Sequence, residues 1–134
     1  MYVGMYDYPD DVVNRFYSLA AINKMNYIIS LLNENGYDVD IYSLSNSKES
    51  TFKFSREKKV EIGRNILYLT PTLGTSCKIG KALRIILSYC WLMMKILCNA
   101  RTNDYILIYH TLEGIVPLSI VKRLKKLRYV LEVE

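Results

Sequence analysis

The sequence predicts an α/β fold in which a parallel β-sheet carries helices on both of its faces. Short apolar runs rich in β-branched and aromatic residues alternate along the chain with longer segments of helical periodicity. The run at residues 105–109 is apolar throughout, which is typical of a strand covered on both faces. The chain has 134 residues, of which 51% are apolar, and this is enough for one domain with its own core.

The first half of the chain predicts a strand, a helix and a second strand. Residues 2–6 form a short apolar run, and Pro9 in the polar segment after it prevents continuation of a strand. Ser18 is a candidate N-cap for a helix with apolar residues three and four positions apart. Gly36 is expected to end that helix, since glycine readily adopts the left-handed conformation found there. Residues 38–44 then alternate apolar and polar residues as a second strand does.

The middle of the chain is less regular. Residues 45–55 are polar and serine-rich, and we expect a surface loop. Residues 60–62 and 65–69 are extended segments, either a hairpin turning at Gly63 or one strand that follows a turn. Residues 71–74 are expected to form a turn.

The longest helical candidate covers residues 77–100, and its centre at 85–94 is apolar nearly all round. This apolar stretch is shorter than a membrane span requires, and Lys81, Arg84 and Lys95 lie close to it. A buried helix and a helix that lies on a membrane surface are the two alternatives.

The last elements are the strand at 105–109, a helix from about 115 to 126 and a final strand at 128–134. Pro117 is expected in the first turn of this helix, where proline is tolerated. We expect an apolar inner side and a basic outer side, made respectively of Leu118, Val121 and Leu124, and of Lys122, Lys125 and Lys126. Because no helix follows the final strand, the sequence is expected to be part of a longer protein.

The net charge of +5 is unevenly distributed. Residues 76–101 contain five basic residues and no acidic one, and residues 122–128 contain five more basic residues. A basic surface of this kind fits anionic lipid headgroups, nucleic acid or a phosphorylated ligand, or is simply a solvated helix face. The three cysteines lack metal-binding spacing, and with no signal peptide at the start of the sequence they indicate a reducing cytoplasm.

Several kinds of site are absent from the sequence. Paired cysteines or histidines for a metal, a G-x-S-x-G elbow, a glycine-rich phosphate loop and a nucleic-acid module are not found. His110, the single histidine, follows the strand at 105–109 and so stands where open α/β sheets bind ligands. Asn23 and Lys24, early in the first helix, are candidate donors to an anion, or members of an ordinary polar face.

Four segments resemble bacterial exopolysaccharide glycosyltransferases of family 4. Residues 20–28, A-A-I-N-K-M-N-Y-I, resemble their A-A-x-N-K-M-x-Y-I segment, and residues 36–39, G-Y-D-V, resemble their G-[YH]-x-V segment. Residues 109–112, Y-H-T-L, and residues 130–134, V-L-E-V-E, resemble their Y-H-[ST]-L and I-L-E-V-E segments. The matches occur in the same order along the chain and are weak between residues 45 and 100.

The resemblance implies a GT-B fold, in which two Rossmann-like domains face a cleft. Residues 1–134 would be the single N-terminal domain, which mainly holds the acceptor, a glycan or a lipid-linked sugar. The nucleotide-sugar donor and the E-x₇-E motif would belong to a C-terminal domain that this sequence lacks, so the chain is expected to be inactive alone. The family is retaining and needs no metal or other cofactor, and its members work in the cytoplasm, often on the inner membrane face.

The resemblance also implies roles for individual residues. His110 would form a hydrogen bond with a hydroxyl of the donor sugar near the reacting centre rather than act as a nucleophile, and Asn23 and Lys24 would approach the diphosphate. Thr111 and Glu113 would complete the binding residues at this edge. An anionic membrane surface is the further expected partner, and nucleic acid is not expected.

Two other interpretations remain. A lone Rossmann-like domain is also compatible with a non-catalytic binding module or with the partner subunit of a split glycosyltransferase, with residues 91–94 in its interface. For Glu132, a structural role is favoured over a contact with the acceptor. A flavodoxin-like cofactor domain is disfavoured, because residues 7–17 are not rich in the Ser, Thr and Gly that would hold a phosphate.

Overall fold

The computed structural model describes residues 1–8, 11, 13–102, 104–109, 112–125 and 127–132, with the side chains of 112–117 and 132 outside that description. The helices and strands are β1 (Tyr2–Gly4), α1 (Leu19–Glu34), β2 (Asp40–Ser43), β3 (Lys53–Ser55), β4 (Lys58–Ile62), β5 (Asn65–Leu69), β6 (Thr72–Gly74), α2 (Lys78–Asn99), β7 (Tyr105–Tyr109), α3 (Leu112–Lys125) and β8 (Arg128–Glu132).

Six of the described strands form one sheet in the order β4-β5-β2-β1-β7-β8. β5, β2, β1, β7 and β8 run parallel, and β4 is antiparallel to β5 at one edge. The order of the parallel strands reverses at β1, which lies between β2 and β7, and this is the arrangement of a Rossmann-like sheet. The predicted α/β fold class is confirmed.

Apolar side chains pack on both faces of the sheet. On one face, Met25 and Ile29 of α1 pack with strand residues such as Ile41 and Leu67. On the other face, α2 and α3 pack together over β1, β2 and β7, and their buried residues include Trp91, Leu92, Ile96, Leu118 and Val121. Helices therefore cover both faces, as the alternating pattern predicted.

Local signals in the sequence place the ends of several elements. The Ser18 hydroxyl accepts a hydrogen bond from the Ala21 amide at 3.4 Å, and Gly36 has a positive φ of 84° after α1. Gly63, with a φ of 60°, forms the turn of the β4–β5 hairpin. These three predictions are confirmed, and the hairpin is the correct one of the two alternatives for residues 60–69.

A short ribbon differs from the prediction. The expected turn at 71–74 contains β6, which pairs antiparallel with β3 inside the expected surface loop. Two of the three β3 residues are exposed and the third is half-buried, so the ribbon lacks the apolar alternation that reveals a strand in a sequence.

The third helix also differs from the prediction. It begins at Leu112, so Pro117 lies in its second turn rather than in its first. Leu118 and Val121 are buried as expected, but Leu124 is exposed. The helix instead turns Lys125 toward α2, where its Nζ donates a hydrogen bond to the Ala100 carbonyl at 2.8 Å.

The second helix matches the predicted bounds closely, but the length of its apolar part and its burial differ from the expectation. Among the described residues, α2 is the one helix that is long enough and apolar enough to cross a membrane, judged by length and composition alone. This corrects the expectation that its apolar stretch is too short. Only 22% of its most apolar part is buried, so α2 is not the fully buried helix that one alternative predicted. Within the proposed interface at 91–94, Trp91 and Leu92 are buried and Met94 is exposed.

Candidate functional site

The reversal of strand order locates a candidate site. The chain leaves β1 through α1 on one face of the sheet, whereas α2 and α3 lie on the other face. The carboxyl ends of β1 and β7 are adjacent at this point, and ligands of open α/β sheets bind at such an edge. We call this region, made of residues 4–8 and the end of β7, the switch-point edge.

Close packing of α1 on β1 brings a lysine to the switch-point edge. A Cβ atom added at Gly4 would lie 2.8 Å from the sulfur near the flexible end of the Met25 side chain, so the helix packs closely on β1 here. The neighbouring residue, Lys24, has its Nζ 5.3 Å from the ring centroid of Tyr109, the last residue of β7. This is a cation–π distance, and it places a cation beside the residue that precedes His110.

The other residues that the sequence singled out are distributed as follows. Asn23 lies exposed on α1, next to Lys24. His110 and Thr111 lie outside the described residues. Glu113 belongs to the first turn of α3, and its side chain lies outside the description. The roles of these four residues remain predictions.

A polar network holds the chain that follows β1. The Tyr6 hydroxyl donates to Asn26 Oδ1 at 2.7 Å, which bonds the chain after β1 to α1. The Tyr6 amide donates to Ser43 Oγ at 3.2 Å, and Ser45 Oγ donates to the Tyr6 carbonyl at 2.9 Å. Burial raises the pKa of the Tyr6 phenol, and this outweighs the hydrogen bond to Asn26, which acts to lower it. The phenol therefore stays protonated and remains a hydrogen-bond donor at neutral pH.

A buried arginine ties the loop after β1 to two further strands. Arg15 is 1% exposed, and its Nε donates to Asp11 Oδ2 at 2.8 Å. Its Nη1 donates to the carbonyls of Ser45 at 2.7 Å and Thr70 at 3.0 Å, which follow β2 and β5. Burial raises the pKa of Asp11, but the hydrogen bond and charge of Arg15 outweigh it and hold this pKa below its ordinary value.

A carboxylate oxygen at the switch-point edge has unused hydrogen-bonding capacity. Asp7 Oδ1 is buried and has no hydrogen-bond partner among the residues that the structure describes. Burial raises the pKa of Asp7, although a hydrogen bond from the Tyr8 amide and the charge of Arg15 both act to lower it. An acceptor of this kind is suited to a hydroxyl donor on a ligand, because a buried polar atom without a partner costs free energy.

Two half-exposed aromatic rings lie near the carboxyl end of β2. The Phe16 amide donates to the Asn46 carbonyl at 2.8 Å, which fixes the loop there. Lys48 Nζ lies 4.8 Å from the Tyr17 ring centroid and 5.7 Å from the Phe16 ring centroid. The rings therefore present apolar faces beside a positive charge.

Sequence reasoning missed Asp7, Arg15 and Phe16 as members of this region. Asp7 directly follows a predicted strand at its carboxyl end, and that position was a usable signal. Arg15 offered little signal, because two of its three partners, the carbonyls of Ser45 and Thr70, come from distant segments of the chain.

A cavity of about 770 Å³ lies at the opposite edge of the sheet. Its lining includes Met1, Asp40 and Tyr105, which stand at the starts of β1, β2 and β7. These are the amino ends of the strands, so this cavity is separate from the switch-point edge. Among the described residues, no cluster of three or more His, Cys, Asp or Glu side chains is placed to hold a metal.

Comparison of structures aligns the chain with a trehalose-6-phosphate synthase, which was analysed with bisubstrate glycomimetics to study enzymatic glycosyltransfer with retention. The alignment has a TM-score of 0.51 and 11% sequence identity, and it covers 97% of this chain and 31% of that enzyme. The chain thus spans about a third of the length of this neighbour, and at such low identity the likeness shows a GT-B-like fold alone. No protein-family model matches the sequence, and no curated protein matches it either.

Proposed function

We propose that the chain is the acceptor-side domain of a retaining glycosyltransferase, which transfers a sugar from a nucleotide sugar to a glycan or lipid-linked acceptor. The observation that carries this proposal is the position of Lys24 over Tyr109, where β1 and β7 end side by side in a GT-B-like sheet. Ligands of open α/β sheets generally bind at such an edge, and the lysine supplies a charge that suits a diphosphate.

The reaction needs stabilisation of charge more than it needs a protein nucleophile. As the bond to the donor sugar breaks, positive charge develops on the sugar ring and negative charge on the leaving diphosphate. The Lys24 ammonium group would stabilise the diphosphate together with the donors of Asn23 and Thr111. His110, next to Tyr109 in the chain, would orient the donor sugar by a hydrogen bond to a hydroxyl group.

The acceptor would occupy the side of the edge that is formed by the loop after β1. Asp7 Oδ1 has capacity to accept a hydrogen bond from an acceptor hydroxyl group. The rings of Phe16 and Tyr17 offer apolar surfaces for the faces of a sugar. Glu113 is the further acceptor contact proposed.

The donor would be held mainly by a second Rossmann-like domain that carries the E-x₇-E motif. The chain would then be inactive by itself, and its reaction would use neither a metal nor another cofactor. A location in the cytoplasm, on the inner face of the membrane, belongs to the same proposal.

The test is sugar transfer by the protein in which this chain is joined to its donor domain, with a panel of nucleotide sugars. Lys24→Ala is expected to lower kcat/KM about 100-fold, the effect of removing one preorganised charged donor. The matched control is Lys59→Ala, which removes an exposed lysine of the edge strand β4. Equal activity of the two variants would remove Lys24 from the site, and full activity of His110→Ala would remove His110 from the mechanism.

A further inference from the structure

The second helix directs its polar side chains toward the body of the domain. Arg84 Nη1 donates to the Ser47 carbonyl at 2.8 Å, and Asn99 Nδ2 donates to the Tyr42 hydroxyl at 3.1 Å. Lys95 forms an ion pair with Glu57, whose second carboxylate oxygen accepts a hydrogen bond from the Trp91 indole at 2.9 Å. The polar groups of α2 that lie between its ends are thus largely used inside the protein.

The opposite side of the same helix is apolar and exposed. Exposure is 76% for Ile79, 55% for Leu83, 56% for Ile86 and 57% for Met94, and Cys90 is exposed as well. These five residues are three or four positions apart and therefore lie along one side of the helix, which we call the outer face of α2. A helix at the surface of a soluble domain normally has the reverse arrangement, with its polar side toward water.

Basic residues lie near both ends of α2 but outside its outer face. Lys78 and Lys81 are exposed in the first turn of α2, and α2 contains no acidic residue. At its other end, the hydrogen bond from Lys125 to Ala100 brings the last turn of α3 alongside, with Lys122 and Arg123 exposed. An apolar strip between positive ends is complementary to a surface that is apolar inside and anionic outside.

We propose that the outer face of α2 binds an anionic membrane surface, with the helix lying in the plane of the lipid headgroups. A helix crossing the bilayer is disfavoured, because Trp91, Leu92 and Ile96 are buried against the sheet and Lys95 is paired with Glu57. A second copy of the chain is disfavoured as the occupant, since pairing two outer faces would bring positive ends together.

This orientation also relates the membrane to the candidate site. Arg84, in the second turn of α2, bonds the carbonyl of Ser47, which follows β2 at the carboxyl edge of the sheet. The amino end of α2 and the switch-point edge therefore lie at the same end of the sheet. If the proposed function holds, a lipid-linked acceptor would enter from the bound membrane at that end.

The experiment is flotation of the purified chain with vesicles of phosphatidylcholine alone or of equal parts phosphatidylcholine and phosphatidylglycerol. Binding is expected with the anionic vesicles, and high salt should weaken it. Ile86→Glu is expected to weaken partitioning about 30-fold, since it removes apolar burial and adds a repelled charge. The matched control is Phe52→Glu, the same kind of change at a residue that is 81% exposed outside α2, and it should have little effect.

A second variant separates the charge from the apolar contact. Lys78→Glu combined with Lys81→Glu is expected to lower binding to anionic vesicles at least about 30-fold. Thermal unfolding should leave the midpoint of each variant unchanged or raised, because the substituted side chains are exposed.

Three results would overturn the proposal. The first is that the Ile86→Glu variant and the unmodified chain bind anionic vesicles equally, and the second is that the chain binds neutral and anionic vesicles equally. The third is that the chain forms a dimer in vesicle-free solution and that Ile86→Glu dissociates this dimer. The flotation assay uses neither a sugar donor nor an acceptor, so its failure would remove the membrane location from the proposed function but leave the proposed sugar transfer untouched. Conversely, an inactive enzyme that still binds vesicles would contradict the proposed function alone.

Discussion

Replacing Arg15 with methionine removes the buried cation that joins the loop after β1 to the ends of β2 and β5. Methionine has an unbranched side chain of similar length, so the substitution leaves only a small void. The Asp11 carboxylate, 5% exposed, loses the partner that holds its pKa low, and two carbonyls lose charged donors. The variant therefore isolates the electrostatic contribution of this anchor.

The expected cost is large for a single substitution. Removing one partner of a buried ion pair costs about 3–5 kcal/mol, and the lost hydrogen bonds to carbonyls are part of the same change. A chain of this length has a free energy of unfolding of about 7–20 kcal/mol. Arg15→Met should therefore still fold, with a loss of about 4 kcal/mol and a Tm lower by roughly 15 °C.

Urea denaturation followed by circular dichroism measures this loss. Lys58→Met is the control, because Lys58 meets the same Asp11 at 3.5 Å but is 40% exposed, and such a pair contributes less than about 1 kcal/mol. Arg15→Met combined with Asp11→Asn should cost less than the sum of the single changes, since it leaves no buried charge unpaired. A loss of under about 1 kcal/mol in Arg15→Met, with an unchanged denaturant slope, would refute the structural role of Arg15.

Two further predictions concern packing and pH. Gly80→Ala should destabilise the chain by about 1–2 kcal/mol despite the better helix propensity of alanine, because the new Cβ would lie 2.9 Å from Thr75 Cβ. Thermal unfolding measures this, and Thr75→Ala in the same chain should recover only part of the loss, because alanine removes the Thr75 Cγ2 atom that would lie 2.7 Å from the new Cβ but keeps the Thr75 Cβ. Because the folded pKa of Asp11 is depressed, its contribution to stability is present above the unfolded pKa of about 3.9 and is lost as pH falls through the folded pKa. Asp11→Asn should remove that part of the acid dependence in urea titrations at a series of pH values, and an unchanged profile would contradict the assignment.

Features with a local physical cause were predictable from the sequence. The Ser18 cap, the Gly36 helix end and the Gly63 hairpin each depend on the chemistry of one residue and its neighbours. The alternation of strands and helices sufficed for the fold class, because a parallel sheet needs helical connections.

Features that depend on distant parts of the chain were not predictable. The orientation of α2 is decided by polar partners in other segments, such as Ser47 and Glu57, and an apolar helix centre gives no periodic signal to choose a face. The candidate site was predictable only in part. Its position early in the first helix singled out Lys24, which the structure places near the end of β7, whereas the buried Arg15 became visible only with the chain folded.

The central position of β1 has a consequence for how the chain folds. Tyr2 is paired on one side with Ile41 and on the other with Leu107, so the second pairing closes a loop of about a hundred residues. Pairings this distant slow folding, and during synthesis they wait until β7 has left the ribosome. Until then, one edge of β1 stays open while β2 and β5 are already able to pair. The switch-point edge, which lies between β1 and β7, thus assembles late, and of the described strands only β8 joins the sheet after β7.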